Sequence, residues 1–227
     1  MLRPIVIIAA AARTAPQIIE QALAQGRRVT AVVRDPSRIA ARPGLLVRPG
    51  DVYDVDSLAD AMSGDEAVIS LIGPKIDFAA VENTCVDLYS VGTAILITAM
   101  RRKSVRRLIV ISSGGVEIIP DTKPDGVDPI LAWVWKERGL YQDMQRMEKI
   151  VHASDLDATV LRPRTFVDGA MRNDLKTSVG VPTPNVASNL TYADLARFIL
   201  NEVDDCAFVG QTVGIYTDTL SSHLVAN

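Results

Sequence analysis

The run Ile5-Val6-Ile7-Ile8, together with the alanine-rich turn after it, constrains the chain most. A continuous apolar stretch passes through Ala9-Ala10-Ala11-Ala12-Arg13-Thr14-Ala15 into a segment with Ile18, Ile19, Ala22 and Leu23 on one helical face. This order reads as strand, tight turn and amphipathic helix. A chain that begins this way is expected to continue as alternating strands and helices around a parallel sheet.

The remaining segments fit that expectation. Gly26 is the expected stop of the first helix, and 28–33 is a second strand ending at Arg34. Leu45-Leu46-Val47 reads as a third strand, 55–62 as a helix, and 67–73 as a fourth strand with Gly73 at its carboxyl end. A long helix is expected over 81–102, a fifth strand over 105–111, and one helix over 130–152. A sixth strand at 158–163, a helix at 191–201 and a last strand at 212–216 complete the α/β pattern. Gly, Pro and Asp punctuate 115–130, a loop long enough for a functional lid, and few helix signals occur between 168 and 188.

The turn Ala9 to Ala15 resembles the Gly-Ala-Thr-Gly-Arg-Thr-Gly loop of the NAD(P)H-binding, NmrA-like atypical short-chain dehydrogenase/reductases, which include flavin and biliverdin-IXβ reductase-like proteins. Ala9, Ala12 and Ala15 stand at the three glycine positions, and Ala10, Arg13 and Thr14 match. Gly50-Asp51-Val52, Gly73, Ser112-Ser113, the Tyr141 to Glu148 segment and Thr159-Val160-Leu161-Arg162-Pro163 carry the resemblance along the chain. It implies a Rossmann-type doubly wound, mostly parallel sheet with helices on both faces. One domain over 1–227 is expected, with a small substrate-side lobe from about 115–130 and 165–190.

The resemblance also implies a nucleotide site built from Ala9, Ala12, Arg13, Thr14, Arg34, Arg38, Asp51, Val52 and Gly73. Arginines after the second strand suit a 2′-phosphate, whereas an acidic residue would hold a ribose hydroxyl. The missing glycines argue the other way, because a methyl group at Ala9 or Ala12 can close the turn or fill phosphate space. Thr14-Ala15-Pro16-Gln17 further fits a capping box, in which Thr14 and Gln17 satisfy the helix's own donors and leave fewer for an anion. The expectation is therefore no cofactor, or weakly bound NADP(H).

Candidate chemistry lies at strand ends. The Tyr-x-x-x-Lys pair of typical short-chain dehydrogenases is absent, since Gln145 stands four residues after Tyr141. Ser112 and Ser113 can hydrogen-bond a substrate oxygen, Tyr141 can donate a proton, Arg164 can bind a carboxylate or enolate, and Asp168 is a candidate general base. Arg162 is expected in a structural ion pair. Trp133 and Trp135 suit a flat or aromatic substrate, while His152 and His223 carry no assigned chemistry.

Charge excludes other classes. A net charge of −3 with interspersed signs leaves no basic footprint for nucleic acid or an anionic membrane, and 101–107 is read as a solvated helix end. The two cysteines, Cys85 and Cys206, fit no metal spacing and suit a reduced, cytoplasmic protein. Long apolar helices in such domains imply a homodimer by analogy.

Three functions fit these residues. The first is a redox-neutral isomerase, cyclase, dehydratase or epimerase that has lost hydride transfer and works through Ser113, Tyr141, Arg164 or Asp168. The second is an NADP(H)-dependent reductase of a carbonyl, quinone or flavin. The third is a non-catalytic NmrA-like sensor or partner-binding protein.

Overall fold

A computed structural model describes residues 2–74, 86–126, 128–184 and 190–218. Strand β1 (Ile5–Ile8) is buried at all four positions. Ile5 and Ile7 enter one core and Val6 and Ile8 the other, so the continuous apolar run reflects a strand covered on both faces. Full burial of each such side chain favours the folded state by roughly 1.5–3 kcal/mol.

From β1 the chain continues through α1 (Ala15–Ala24), β2 (Val29–Val33), β3 (Leu45–Pro49), α2 (Val55–Asp60) and β4 (Ala67–Ser70). Next come α3 (Leu88–Arg102), β5 (Arg107–Ile111), α4 (Pro129–Lys136), α5 (Arg138–His152) and β6 (Asp157–Pro163). Short strands β7 (Phe166–Val167), β8 (Lys176–Val179) and β9 (Leu190–Thr191) precede α6 (Tyr192–Asp205) and β10 (Thr212–Tyr216). The main sheet has eight strands in the order β3-β2-β1-β4-β5-β6-β10-β8. All its pairings are parallel except β10 with β8. Helices α1 and α6 contribute to one core; α2, α3, α4 and α5 contribute to the other. The chain order reverses between β1 and β4, which places a ligand crevice at the carboxyl ends of these two strands.

Several expected boundaries shift; β4 ends at Ser70 rather than at Gly73, α2 ends at Asp60 and β5 begins at Arg107. Helix α3 starts at Leu88, with Val86 and Asp87 outside it, while 81–85 lie outside the described residues. Its start is fixed from another helix: the Asp143 carboxylate of α5 accepts from the Tyr89 N–H at 2.8 Å, the Ser90 N–H at 3.4 Å and the Ser90 hydroxyl at 2.5 Å. The single helix expected at 130–152 is two, broken at Glu137, whose backbone lies at φ −96° and ψ 18°. Helix α6 runs on to Asp205 and ends where Cys206 turns left-handed, at φ 52°. Cys85 and His223 lie outside the described residues.

Strand β8 has no counterpart among the expected elements. Only Ser178 of its four residues is buried, because β8 is an edge strand and carries little apolar signal. A Cβ on its neighbour Gly214 would stand 1.9 Å from the Thr183 Oγ1, so glycine lets the segment after β8 cross β10.

The basic helix end pairs with acids: Arg101 with Asp155 at 2.8 Å, Arg102 with Asp56 at 2.5 Å and Arg106 with Asp157 at 3.3 Å. Among the described residues, no helix is long and apolar enough to cross a membrane, and no cluster of His, Cys, Asp or Glu could hold a metal ion.

Asp143 is fully buried and also meets Arg146 at 3.1 Å. Asp143→Ala strands the α3 amides and is expected to cost about 2–4 kcal/mol in urea unfolding, whereas Asp155→Ala at the surface should cost less than about 1 kcal/mol.

Candidate functional site

The turn after β1 keeps the shape that glycine would give it. Ala9 is left-handed at φ 58°, a conformation that costs an L-residue roughly 1–2 kcal/mol. The turn is closed by the Ala12 N–H to the Ala9 carbonyl and the Ala15 N–H to the Ala12 carbonyl, each at 3.0 Å, and the Ala10 N–H reaches the Val32 carbonyl at 3.0 Å. The Ala12 methyl packs against the core and Ala15 is fully buried inside it, so these two side chains are accommodated on the protein side.

The expected capping box does not form. Thr14 is helical at φ −75° and ψ −26°, and its side chain accepts no hydrogen bond from the helix. A threonine in that conformation cannot aim its hydroxyl at the amides of the first turn. Among the described residues, the N–H groups of Ala11, Arg13 and Thr14 donate to no acceptor. Open amides at the positive end of a helix suit an anion.

Arg34 and Arg38 come after β2, are exposed, and make no ion pair among the described residues. Asp35 between them is occupied: it accepts the Ser37 N–H at 3.1 Å and the Ser37 hydroxyl at 2.6 Å, which hold its carboxyl below the usual range. Gly50 donates to the Val33 carbonyl at 3.0 Å, and a Cβ there would sit 2.4 Å from the Val32 Cγ1. Asp51 is exposed and its carboxylate accepts the Tyr53 N–H at 2.9 Å, while Val52 packs against the core. Three residues past β4, a Cβ on Gly73 would stand 3.2 Å from the Tyr89 hydroxyl, so the first turn of α3 closes over the segment that follows the strand.

The two serines after β5 diverge. Ser112 is buried and donates to Glu148 at 2.6 Å, and the same carboxylate takes Arg162 through Nε at 2.9 Å and Nη2 at 2.6 Å. Ser112 is thus part of a structural knot, which corrects its expected catalytic use; Arg162, also paired with Glu117 at 3.1 Å, is structural as expected. Ser113 is half-buried and accepts the Gly115 N–H at 3.2 Å. Ser113 and Trp133 both stand near enough to the Tyr141 hydroxyl to act on its titration. Burial foremost pushes the Tyr141 phenol above its ordinary pKa, the Glu137 charge adds to the rise, and Trp133 and Ser113 oppose it. Gly115 makes room for the ring, since a Cβ there would lie 2.4 Å from it.

The two terminal nitrogens of Arg164 are engaged within the protein, while its buried Nε has no partner among the described residues. Its side chain is 8% exposed and is spent on the Gly114 carbonyl at 3.0 Å, the Thr183 carbonyl at 2.5 Å and Glu117 at 3.3 Å. It ties the segment after β8 to the turn after β5. Asp168 is 82% exposed and pairs with Arg13 at 3.3 Å, on the solvent side of the Tyr192 ring and apart from Ser113 and Tyr141 in the hydrogen bonds it makes. The Arg13 guanidinium also lies 5.1 Å from the centre of the Tyr192 ring, which stacks on Phe166 at 4.8 Å. Trp135 is engaged by Arg138 at 4.3 Å, and His152 meets Thr212 at 2.8 Å.

Sequence reasoning missed Tyr89 and Glu137. Tyr89 was hidden among the apolar positions of a long helix. Glu137 had one legible signal, its place one helical turn before Tyr141.

The sheet order is that of an α/β Rossmann-like fold. The family model for NAD(P)H-binding proteins matches residues 9–205, and the chain belongs to that family. Its fold is shared by a short-chain dehydrogenase/reductase from Veillonella parvula in complex with NADP, at 19% identity and TM-score 0.73 over 97% of this chain and 100% of that one. An anaerobillin reductase, ChuY, from Escherichia coli O157:H7 is 21% identical with TM-score 0.74 over 96% and 98% of the two chains. The oxidoreductase ylbE from Lactococcus lactis is 15% identical with TM-score 0.76 over 96% and 92%.

Ala9→Gly relieves the left-handed strain but frees the unfolded chain, so a net gain of about 0.5–1 kcal/mol in urea unfolding is expected. Ala9→Val should destabilise by more than this amount.

Proposed function

We propose that the protein is an NADP(H)-dependent oxidoreductase that reduces a carbonyl-type group of a small molecule. One observation carries cofactor use: the alanine turn keeps a left-handed Ala9 and leaves the amides of Ala11, Arg13 and Thr14 open at the start of α1. The pyrophosphate fits against these donors, and Arg34 with Arg38 fits a 2′-phosphate. The family match to NAD(P)H-binding proteins supports the same reading.

When bound, the cofactor supplies a hydride. The protein's part is to hold the substrate oxygen and give it a proton. Tyr141 is suited to that role, since its phenol stands with Ser113 and Trp133 beyond the end of β5 and can donate its proton to a substrate oxygen. A phenol kept above its ordinary pKa remains a proton donor at neutral pH. The aromatic rings of Trp133, Tyr141 and Tyr89 near the ends of β4 and β5 favour a flat conjugated substrate, and a quinone or flavin falls in the same class.

The redox-neutral reading rests on the absent glycines and on a self-capped helix. The second ground is gone, and the same Ser113 and Tyr141 would serve both chemistries.

Calorimetric titration separates the two. NADPH is expected to bind the stripped protein more tightly than NADH, with Arg34→Ala or Arg38→Ala each weakening NADPH about tenfold, about 1.4 kcal/mol, and leaving NADH unchanged. NADPH oxidation in the presence of flat carbonyl compounds or quinones should fall by about 10²–10⁴ in Tyr141→Phe. No binding at millimolar NADPH would overturn the proposal and return the site to cofactor-free acid–base chemistry.

A further inference from the structure

The side chain of Arg13 leaves the turn after β1 and crosses to the segment after β6. Its Nη2 donates to both carboxylate oxygens of Asp168, at 3.4 and 3.3 Å, and its guanidinium carbon lies 5.1 Å from the centre of the Tyr192 ring. Tyr192 in turn stacks on Phe166, with ring centres 4.8 Å apart and planes within 4° of parallel. A guanidinium and two rings therefore form a three-layer stack that joins the start of α1 to β7.

Two of the layers are fixed by backbone. Phe166 and Val167 of β7 pair with Leu190 and Thr191 of β9. The Thr191 hydroxyl accepts the Asp194 N–H at 3.0 Å and caps α6 immediately before Tyr192. The third layer sits on a long, solvated arm. The side chains of Arg13 and Asp168 are 72% and 82% exposed, and among the described residues neither has another polar partner. An ion pair so open to water is weak. The backbone N–H of Arg13 is itself one of the open amides at the start of α1, so this side chain begins where an anion fits. A diphosphate carries more charge than one carboxylate and offers paired acceptors to the guanidinium fork.

We propose that Asp168 is an internal competitor for the cofactor: it holds Arg13 at the Tyr192 ring until Arg13 exchanges that carboxylate for the diphosphate of NADPH. The inference deepens the NADP(H) reading above and rests on it. Arg13 can serve the cofactor only while unpaired, and the apparent affinity is reduced by the fraction of molecules in which it is free. A pair formed in about two molecules of three lowers the affinity about threefold, which suits an exposed ion pair.

The test combines calorimetric titration of NADPH with NMR of the Arg13 side chain. Titrations are run at about 0.15 M salt, where exposed charges more than about 8 Å apart are largely screened. Asp168→Asn is expected to tighten NADPH about threefold and Arg13→Ala to weaken it about tenfold. Adding Asp168→Asn to Arg13→Ala should leave the affinity where Arg13→Ala put it. The Arg13 Cδ protons, shielded by the Tyr192 ring, should move at saturating NADPH toward their position in Tyr192→Leu. An unchanged affinity in Asp168→Asn overturns the proposal. So does equal tightening with and without Arg13, which is general repulsion, or an Arg13 signal that stays shielded at saturating NADPH. In these three cases NADPH still binds and the cofactor reading stands, whereas absence of NADPH binding in every form overturns both.

Discussion

Two buried carboxylates on α5 hold the carboxyl edge of the sheet in register. Asp143 grips the first amides of α3, and Glu148 joins Ser112 at the end of β5 to Arg162 near the end of β6. Removing either partner would leave uncompensated charge or orphaned donors in the interior, so the helix cannot drift without a large penalty. Tyr141 lies on that same helix. Its hydroxyl stands near Ser113 because its neighbours along α5 are clamped to three other elements. Glu117 extends the clamp by holding Arg162, Arg164 and the Thr183 N–H, which fixes the segment after β8 beside the site.

At the other end of the crevice the constraint is conformational. A left-handed residue is needed after β1 so that the chain can turn from the sheet into α1, and alanine adopts it at a modest cost. The tertiary bonds of Ala10 to β2 and the burial of Ala15 more than offset that cost. Loss of glycine therefore does not by itself mean loss of the turn. What decides whether an anion fits is where the amides point and whether a side chain already occupies them. Thr14 does not.

Much of the fold was legible in sequence because it rests on local signals. The apolar runs of β1, β4 and β5, the stop at Gly26 and the final strand β10 came from hydrophobic pattern and punctuation, and the family resemblance supplied their arrangement. The start of α3 and the break at Glu137 were not legible, since the first depends on a carboxylate from α5 and the second on burial of a charged residue. Edge strand β8 pairs on one side only and carried no apolar run. Among the site residues, the structure places Ser113 and Tyr141 near one another. Ser112, Arg164 and Asp168 did not join them, because partners distant in sequence, Glu148, Glu117 and Arg13, claim their polar atoms or leave them in solvent. No local pattern announces such partners.

The most direct measurement is the backbone amide NMR spectrum of the stripped protein titrated with NADPH. If the pyrophosphate rests on the alanine turn, the amides of Ala11, Arg13 and Thr14 should show the largest shifts, with the Arg34 and Arg38 region moving for NADPH and not for NADH. Saturating NADPH that leaves those three amides unmoved, or that moves only residues elsewhere on the surface, would contradict a functional nucleotide site in this chain.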